Sequence, residues 1–236
     1  MISRAMVSRR LFLALAGGVL ALRPRLWEAD PVPSSLDHIL LGVNDLDRGI
    51  AWMEQRTGVR AIFGGVHPGR GTHNALLSLG PLRYLEIIAP DPQQPGKGWF
   101  GKLSAMTEPR LFDWAVHTSD IVSLAKHAGA AGFTIDGPND GSRARPDGKT
   151  LHWKSFMLRD DRGGLLPFFI EWGRDSLHPS EDAPRGCTLK RFFVESPAGA
   201  DLAKQYKLLE VEVEVANGAA PRLRATISSP KGEVQL

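Results

Sequence analysis

Three residues in strongly apolar stretches are the ones in this 236-residue chain best suited to chemistry. Glu86 lies within the apolar run 84–89, Glu171 follows the run 165–170, and His38 lies near the start of a strand-like segment. A charged side chain in apolar surroundings costs free energy unless a cation or a hydrogen-bond partner compensates it. The glutamates are therefore ligands of a bound metal ion, partners of neighbouring arginines, or exposed residues of edge strands.

The cysteine count and the charge exclude several classes of protein. Cys187 is the only cysteine, which rules out a disulfide framework and a thiolate metal cluster within one chain. The formal net charge is +3, but without residues 1–29 the chain has 24 basic and 25 acidic residues. The body of the protein is thus close to neutral and has no basic stripe, so we expect no nucleic-acid partner.

One sequence pattern occurs twice along the chain. Residues 38–46 align without a gap to residues 113–121, and both segments read as a strand followed by a helix capped by Asp45 or Asp120. Strands are predicted to follow at 59–63, 73–79 and 82–89 in the first copy and at 151–158 and 167–172 in the second. The stretches 64–71 and 136–148, rich in glycine, are predicted loops. The repeat predicts an α+β fold of paired βαβββ modules, at 34–95 and 108–180.

The segment after Cys187 reads in the same way, more loosely. A strand is predicted at 189–195 and a helix at 200–209, and the valines at 211, 213 and 215 alternate with glutamates as in a half-exposed strand. Two shorter strands are predicted further on, at 222–228 and 233–236. We therefore expect residues 187–236 to form a degenerate third βαβββ-like module that extends the sheet or packs as a lid.

The first thirty residues have the pattern of an export signal. Arg9 and Arg10 precede an apolar run, 11–22, that is too short to span a bilayer. This resembles a twin-arginine signal, the alternative being a disordered arginine-containing tail. We predict that residues 1–30 direct export to the periplasm, with no stable membrane span afterwards and with the cleavage position left open.

The paired modules, with the motif at 36–38 and the segment Tyr84–Pro90, resemble the vicinal-oxygen-chelate superfamily, which includes glyoxalase I, extradiol dioxygenases and bleomycin-binding proteins. Residues 67–74 and 164–172 resemble its glyoxalase-like branch. The resemblance implies that each module curls its sheet into half a barrel and supplies metal ligands from its first and fourth strands. Carried over to this chain, it implies one divalent ion (Zn, Mn, Ni, Co or Fe) bound by His38, Glu86, Asp113 and Glu171.

The fourth ligand remains open, because glyoxalase I has a histidine where this chain has Asp113. His117, four residues along the same strand, is a substitute, and a water molecule is a further alternative. His73, His117 and His152 are candidates for contact with the substrate or with a ligand, the alternative being exposed strand residues. His67 and Arg70 lie in a predicted loop that covers the cavity. We predict no functional role for the two remaining histidines, His127 and His178.

The resemblance implies an enzyme of the isomerase or lyase type that acts on a small molecule with two adjacent oxygens. The metal serves as a Lewis acid, and Glu86 or Glu171 moves protons. Two other functions stay open. One is a metal-free protein that binds or sequesters a small molecule. The other is an extradiol-type Fe(II) dioxygenase, which requires His38, His117 and one glutamate. A homodimer is compatible with any of these.

Overall fold

The computed structural model describes residues 32–94, 98–145 and 148–236. Its elements are β1 (Leu36–Gly42), α1 (Leu46–Thr57), β2 (Ile62–His67), β3 (Thr72–Ser78), β4 (Tyr84–Pro90), α2 (Phe100–Ser104), β5 (Arg110–His117), α3 (Ile121–Ala130), β6 (Ile135–Ala144), β7 (Thr150–Leu158), β8 (Phe168–Trp172), β9 (Thr188–Ser196), α4 (Gly199–Leu208), β10 (Glu214–Asn217), β11 (Arg222–Ser229) and β12 (Gly232–Gln235). The predicted export signal, residues 1–30, lies outside the described residues. Within them, no helix is long and apolar enough to cross a bilayer.

Helices α1 and α3 begin at the aspartates that the sequence predicts as caps. The Asp45 side chain accepts a hydrogen bond from the Arg48 backbone N–H at 2.8 Å, and Asp120 accepts one from Ser123 at 3.0 Å. These bonds satisfy N–H groups that have no partner within the first turn. Gly58 follows α1 with φ 77°, a left-handed conformation that glycine adopts without steric cost.

Eight strands form one sheet in the order β2-β3-β4-β1-β5-β8-β7-β6. Strands β1 and β5 pair antiparallel at its centre, so the two halves repeat the same order outwards. In each half the first strand pairs in parallel with the fourth, β1 with β4 and β5 with β8. This arrangement confirms the predicted fold of paired βαβββ modules, while the module boundaries remain predictions.

The sheet curls until its two edge strands, β2 and β6, approach each other. They meet where Gly64 and Gly65 face Arg143. A Cβ atom on Gly64 would lie 2.3 Å from Arg143 Nη1, so the absence of a side chain is what permits this approach. The curled sheet encloses a cavity on its concave face.

Alternation along the central strands divides their side chains between the cavity and the main core. Ile39 and Leu41 of β1 pack into the core on the convex face, together with Trp114 of β5 and buried residues of α1 and α3. His38 and Leu40, the intervening residues, line the cavity. The face that a strand residue occupies therefore decides whether it can belong to the site.

Strands β9 to β12 form a separate sheet in the order β10-β9-β11-β12. Their order along the chain, with α4 after β9, is the predicted one, but the first strand here pairs in parallel with the second instead of the fourth. Phe192 and Tyr206 pack against Trp114 on the convex side, and the Tyr206 hydroxyl donates to the Leu165 carbonyl at 2.7 Å. No residue of this segment lines the cavity, so it neither extends the large sheet nor covers the site.

Three local predictions are wrong. The predicted loop 136–148 contains most of β6, and the predicted loop 64–71 contains the end of β2, which leaves a turn at 68–71. Both are edge strands whose pairing with β7 and β3 outweighs the turn preference of their glycines. Residues 211–213 lie outside any strand, and β10 begins only at Glu214.

Candidate active site

The concave face encloses a cavity of about 480 Å³, a volume typical of small-molecule sites. Its walls combine aromatic side chains with a few polar ones. The aromatic residues are Tyr84, Trp99, Trp153, Phe168 and Trp172, and the charged or imidazole residues are His38, His67, Arg70, Glu86, Asp136, Asp140 and Arg143. Such a cavity can bind an apolar small molecule and orient it through polar contacts.

The Glu86 carboxylate lies at the centre of the polar groups. It faces the cavity from β4 and is only 6% exposed. His38 Nε2 lies 3.5 Å from one carboxylate oxygen, and His67 Nε2 lies 3.6 Å from the other. Asn74 of β3 donates to the second oxygen at 2.7 Å. Two imidazoles and an amide thus converge on one buried carboxylate.

The His38 ring is held on both sides. Its Nδ1 lies 2.6 Å from Asp37 Oδ1, and Tyr84 stacks on the ring at a centroid distance of 4.4 Å. Burial and the negative charge of Glu86 raise the pKa of Tyr84 well above its usual value, so its phenol stays protonated. The aspartate and the tyrosine together turn His38 Nε2 towards Glu86.

Asp37 is a buried carboxylate with three donors around it. Trp172 Nε1 donates to Oδ2 at 3.0 Å, and His178 Nε2 lies 3.3 Å from the same oxygen. Burial alone would raise the pKa of Asp37, but hydrogen bonds with His178 and His38 outweigh it and hold the pKa well below its usual value. Asp37 therefore stays ionised and accepts the Nδ1 hydrogen of His38.

His67, at the end of β2, is the second imidazole of the site. Its Nδ1 lies 2.9 Å from Thr72 Oγ1, and its Nε2 lies 3.3 Å from Asn74 Nδ2. Burial lowers the pKa of His67. The negative charge of Glu86 opposes this shift, and the smaller effects of the positive charges of Arg143 and Arg70 add to it. The ring is neutral at neutral pH, which is the form that binds metal ions.

Two of the four predicted ligands, His38 and Glu86, come together, but Glu171 does not join them. The Glu171 carboxylate accepts a hydrogen bond from the Ile121 backbone N–H, the first residue of α3, at 2.8 Å. Phe168, Ile170 and Trp172 of the same strand line the cavity. Side chains alternate along a strand, so Glu171 is one residue out of phase and lies on the opposite face.

Asp113 is also displaced from the predicted ligand position. Leu40 pairs with Asp113 and Leu41 with Leu111, so β5 contains an extra residue, Phe112, at this point. The Asp113 side chain is buried outside the cavity wall, with Oδ1 bonded to the Trp114 backbone N–H and Oδ2 without a partner. Burial raises its pKa well above the usual value, and Asp113 does not line the cavity that His38 and Glu86 share.

None of the three further candidate histidines lines the cavity. His73 lies between Thr72 and Asn74, which do line it, and therefore faces the other way. His152 is exposed beside the cavity residue Trp153, and the partly exposed His117 ends β5. The structure assigns none of them a contact at the site.

The sequence left several site residues unrecognised. Asp37 and Asn74 lie within the segments 36–38 and 67–74 that resemble the superfamily, but the sequence assigned neither of them a role. Residue alternation in β3 places Thr72 and Asn74 on one face. Arg143 lay in a predicted loop, and His178 was predicted to have no role. The proximity of His67 to Glu86 depends on the pairing of β2 with β3 and β4, which is not visible in either segment alone.

The donor set around Glu86, two imidazoles and one carboxylate, fits a divalent metal ion in its chemistry. Ligand atoms about 2.0–2.1 Å from a tetrahedral zinc ion lie roughly 3.4 Å apart, close to the 3.5 and 3.6 Å between the imidazoles and Glu86. A carboxylate such as Asp37 behind a ligand histidine is a usual support of metal sites. Within the described residues no three His, Cys, Asp or Glu side chains are already arranged as a metal-binding group.

The sequence profile of the glyoxalase-like domain family matches residues 36–210. The chain belongs to this family. The match covers both βαβββ modules and reaches past α4. Among curated proteins, none matches the chain significantly.

Several solved structures are similar to this chain at low sequence identity. A hypothetical protein from Staphylococcus aureus is 14% identical, with a TM-score of 0.63 over 85% of this chain and 97% of that one. A methylmalonyl-CoA epimerase from Streptomyces coelicolor is 19% identical, with a TM-score of 0.46 over 61% of this chain and 97% of its own. The epimerase from Mycobacterium tuberculosis is 17% identical, with a TM-score of 0.43 over 64% and 94%. The likeness to the Staphylococcus aureus protein concerns the fold alone.

Proposed function

We propose that this glyoxalase-like protein is a metal-dependent isomerase or lyase for a small substrate with adjacent oxygens. His38, His67 and Glu86 hold the divalent ion, and Glu86 also moves the proton. The observation that carries the proposal is the convergence of two imidazole Nε2 atoms on the two oxygens of one buried carboxylate. The revised set keeps two predicted ligands and replaces Asp113 and Glu171 by His67.

Electrostatics at His38 supports a cation at this point. Asp37 is ionised and takes the hydrogen of His38 Nδ1, so in the singly protonated tautomer that this bond selects, Nε2 is an acceptor. It faces an oxygen of Glu86, also an acceptor, at 3.5 Å. Two acceptors at this distance repel each other unless a proton or a metal ion lies between them.

The surrounding residues are suited to proton transfer at Glu86. A bound metal ion supplies a Lewis acid that polarises an oxygen of the substrate. Asn74 fixes one oxygen of the carboxylate, which orients Glu86 to take a proton from a carbon next to the substrate carbonyl. Returning that proton to the carbonyl carbon, while the proton of the adjacent hydroxyl moves to the former carbonyl oxygen, completes an isomerisation without another reactant. Tyr84, kept protonated, adds a hydrogen-bond donor beside His38.

Zinc titration of the full chain, after removal of metal by a chelator, tests the ligand set. We expect one zinc ion per chain, and His38→Ala, His67→Ala and Glu86→Gln should each lower the affinity by at least about tenfold. Glu171→Gln is the matched control, because this carboxylate lies on the other face. Zinc affinity equal to that of the unmodified chain in all four variants would contradict this ligand set. An unmodified chain that binds no zinc would favour a metal-free small-molecule-binding protein.

Two histidines with one carboxylate are also the ligand set of non-haem Fe(II) oxygenases, which makes an extradiol-type dioxygenase the second candidate. The set consists of His38, His67 and Glu86 and does not need His117. Oxygen consumption by the Fe(II)-loaded chain with a catechol distinguishes the two candidates. The isomerase or lyase proposal expects no oxygen uptake above that of Glu86→Gln, and sustained uptake by the unmodified chain alone would favour the dioxygenase.

A further inference from the structure

We propose that Arg143 binds the carboxylate group of the substrate, so that the cavity takes a small carboxylic acid with an apolar or aromatic body. This inference rests on the proposed function, since it names the substrate class for the same cavity. It is argued from a buried guanidinium group that has no acidic partner within the described residues.

Arg143 is buried and yet incompletely bonded. Its side chain comes from β6 and is only 5% exposed. Its hydrogen bond in the described structure runs from Nη1 to Asn74 Oδ1 at 2.9 Å. No carboxylate of the described residues forms an ion pair with it. A guanidinium group buried without a counter-charge is costly, and this cost is offset when an anion binds.

The free N–H groups of Arg143 open on the cavity. Each nitrogen of the Arg143 side chain either has a hydrogen-bond partner or is reached by solvent. The residue also lines the cavity. The remaining donors are therefore accessible from the side where a ligand binds. A guanidinium group presents parallel N–H bonds that match the two oxygens of a carboxylate.

The fold holds this guanidinium group in place. Gly64 and Gly65 of β2 give it room, since a Cβ atom on Gly64 would lie 2.3 Å from Nη1 and one on Gly65 would lie 2.9 Å from Cδ. Asn74 accepts from Arg143 and donates to Glu86. One amide thus separates the proposed anion-binding group from the proposed base, so a carboxylate on Arg143 brings its neighbouring carbon atoms towards Glu86.

The other charged groups of the cavity leave this role to Arg143. Glu86 is committed to the imidazoles and Asn74, and His67 faces the Glu86 carboxylate. Arg70 and Asp140 are exposed at the rim, where solvent screens them. Asp136, also at the rim, accepts a hydrogen bond from Asn139 at 3.2 Å. Among the described residues that line the cavity, Arg143 is the arginine that is buried.

The remaining walls favour an apolar body on the ligand. Trp153 and Trp172 pack together at a centroid distance of 5.7 Å, and Trp99 lies 6.3 Å from Phe168. These rings line the same cavity as Arg143. Aromatic walls bind apolar groups by burial and ring contacts. We therefore expect the cavity to bind an aromatic or branched aliphatic carboxylate more tightly than a polyol.

Calorimetric titration of the metal-free chain with benzoate, benzyl alcohol and phenyl phosphate tests the inference without depending on metal binding. We expect benzoate to bind at least tenfold more tightly than benzyl alcohol, and more tightly than phenyl phosphate. Arg143→Gln should weaken the binding of benzoate at least tenfold and leave the binding of benzyl alcohol unchanged. Arg143→Lys keeps the charge but loses the paired donors, so its affinity for benzoate should lie between those of the unmodified chain and Arg143→Gln. Arg70→Gln, at the rim, is the control and should have a small effect.

Any of four results would overturn the inference. One is benzyl alcohol binding as tightly as benzoate to the unmodified chain, which requires no variant to fold. A second is a folded Arg143→Gln chain that binds benzoate normally. Tighter binding of phenyl phosphate than of benzoate would replace the carboxylate by a phosphate ester and overturn the stated class. A chain that binds zinc but not benzoate would refute this inference and leave the metal proposal standing. A chain that binds benzoate but not zinc would refute the metal proposal and leave this inference standing.

Discussion

At the scale of single residues, the site is built from side chains that are held by a second side chain. Asp37 holds His38, Thr72 faces His67, and Asn74 holds Glu86. Asp113 is the exception, because it is buried with one oxygen unpartnered. Its carboxyl is consequently kept in the neutral form, which burial favours over the charged one.

We predict that Asp113 makes the protein less stable as the pH rises. Because its folded-state pKa is raised, the folded chain keeps this proton above about pH 4 whereas the unfolded chain loses it. The contribution of the protonated Asp113 to the free energy of unfolding is therefore present at low pH and is lost as the pH rises. Urea unfolding should show that Asp113→Asn gains stability relative to the unmodified chain between about pH 5 and 8. The exposed Asp160→Asn is the control, and a stability difference for Asp113→Asn that does not change with pH would refute the prediction.

At the scale of secondary structure, the face of the strand on which a glutamate lies determines whether it can bind a metal ion in the cavity or cap a helix on the other side. Glu171 caps the N-terminus of α3, where a negative charge is favourable because of the helix dipole. We predict that Glu171→Gln lowers the free energy of unfolding by about 0.5–1 kcal/mol. Chemical denaturation measures this, with the exposed Glu233→Gln as control. If Glu171→Gln unfolds at the same denaturant concentration as the unmodified chain but no longer binds metal, Glu171 is a metal ligand and the prediction is wrong.

The sequence could predict the repeat and the helix caps, because both depend on local patterns. It could not predict which face Glu171 occupies. Strand β8 is apolar on both faces, with Phe169 in the core and Phe168 and Ile170 in the cavity wall, so its sequence does not alternate. The extra residue in β5 likewise shifts Asp113 without any local signal. Strand β6 was missed because its glycines and proline read as a loop.

At the scale of the whole molecule, the two modules share one sheet, and the cavity lies between their outer strands. Module one supplies His38, His67 and Glu86, and module two supplies Arg143 and most of the aromatic wall. The C-terminal sheet adds core on the convex side through Phe192 and Tyr206. This division separates the proposed chemistry from the proposed recognition of the substrate.

We further propose that the protein is exported to the periplasm by a twin-arginine signal at residues 1–30. Paired arginines are the feature that distinguishes this signal, and a lysine pair keeps the charge. The double substitution Arg9→Lys and Arg10→Lys should therefore leave the protein in the cytoplasm. Cell fractionation measures this, with Arg23→Lys as the control. Unchanged periplasmic recovery of the double variant would contradict the proposal.

The central claim is that one divalent ion lies between His38, His67 and Glu86. Its most direct test is a crystal structure of the full chain with zinc, using anomalous scattering at the zinc edge to locate the ion. The account predicts one strong peak within about 2.0–2.3 Å of both Nε2 atoms and a Glu86 oxygen. A structure with no peak in the cavity, or with zinc held by Asp113 or Glu171 instead, would contradict it.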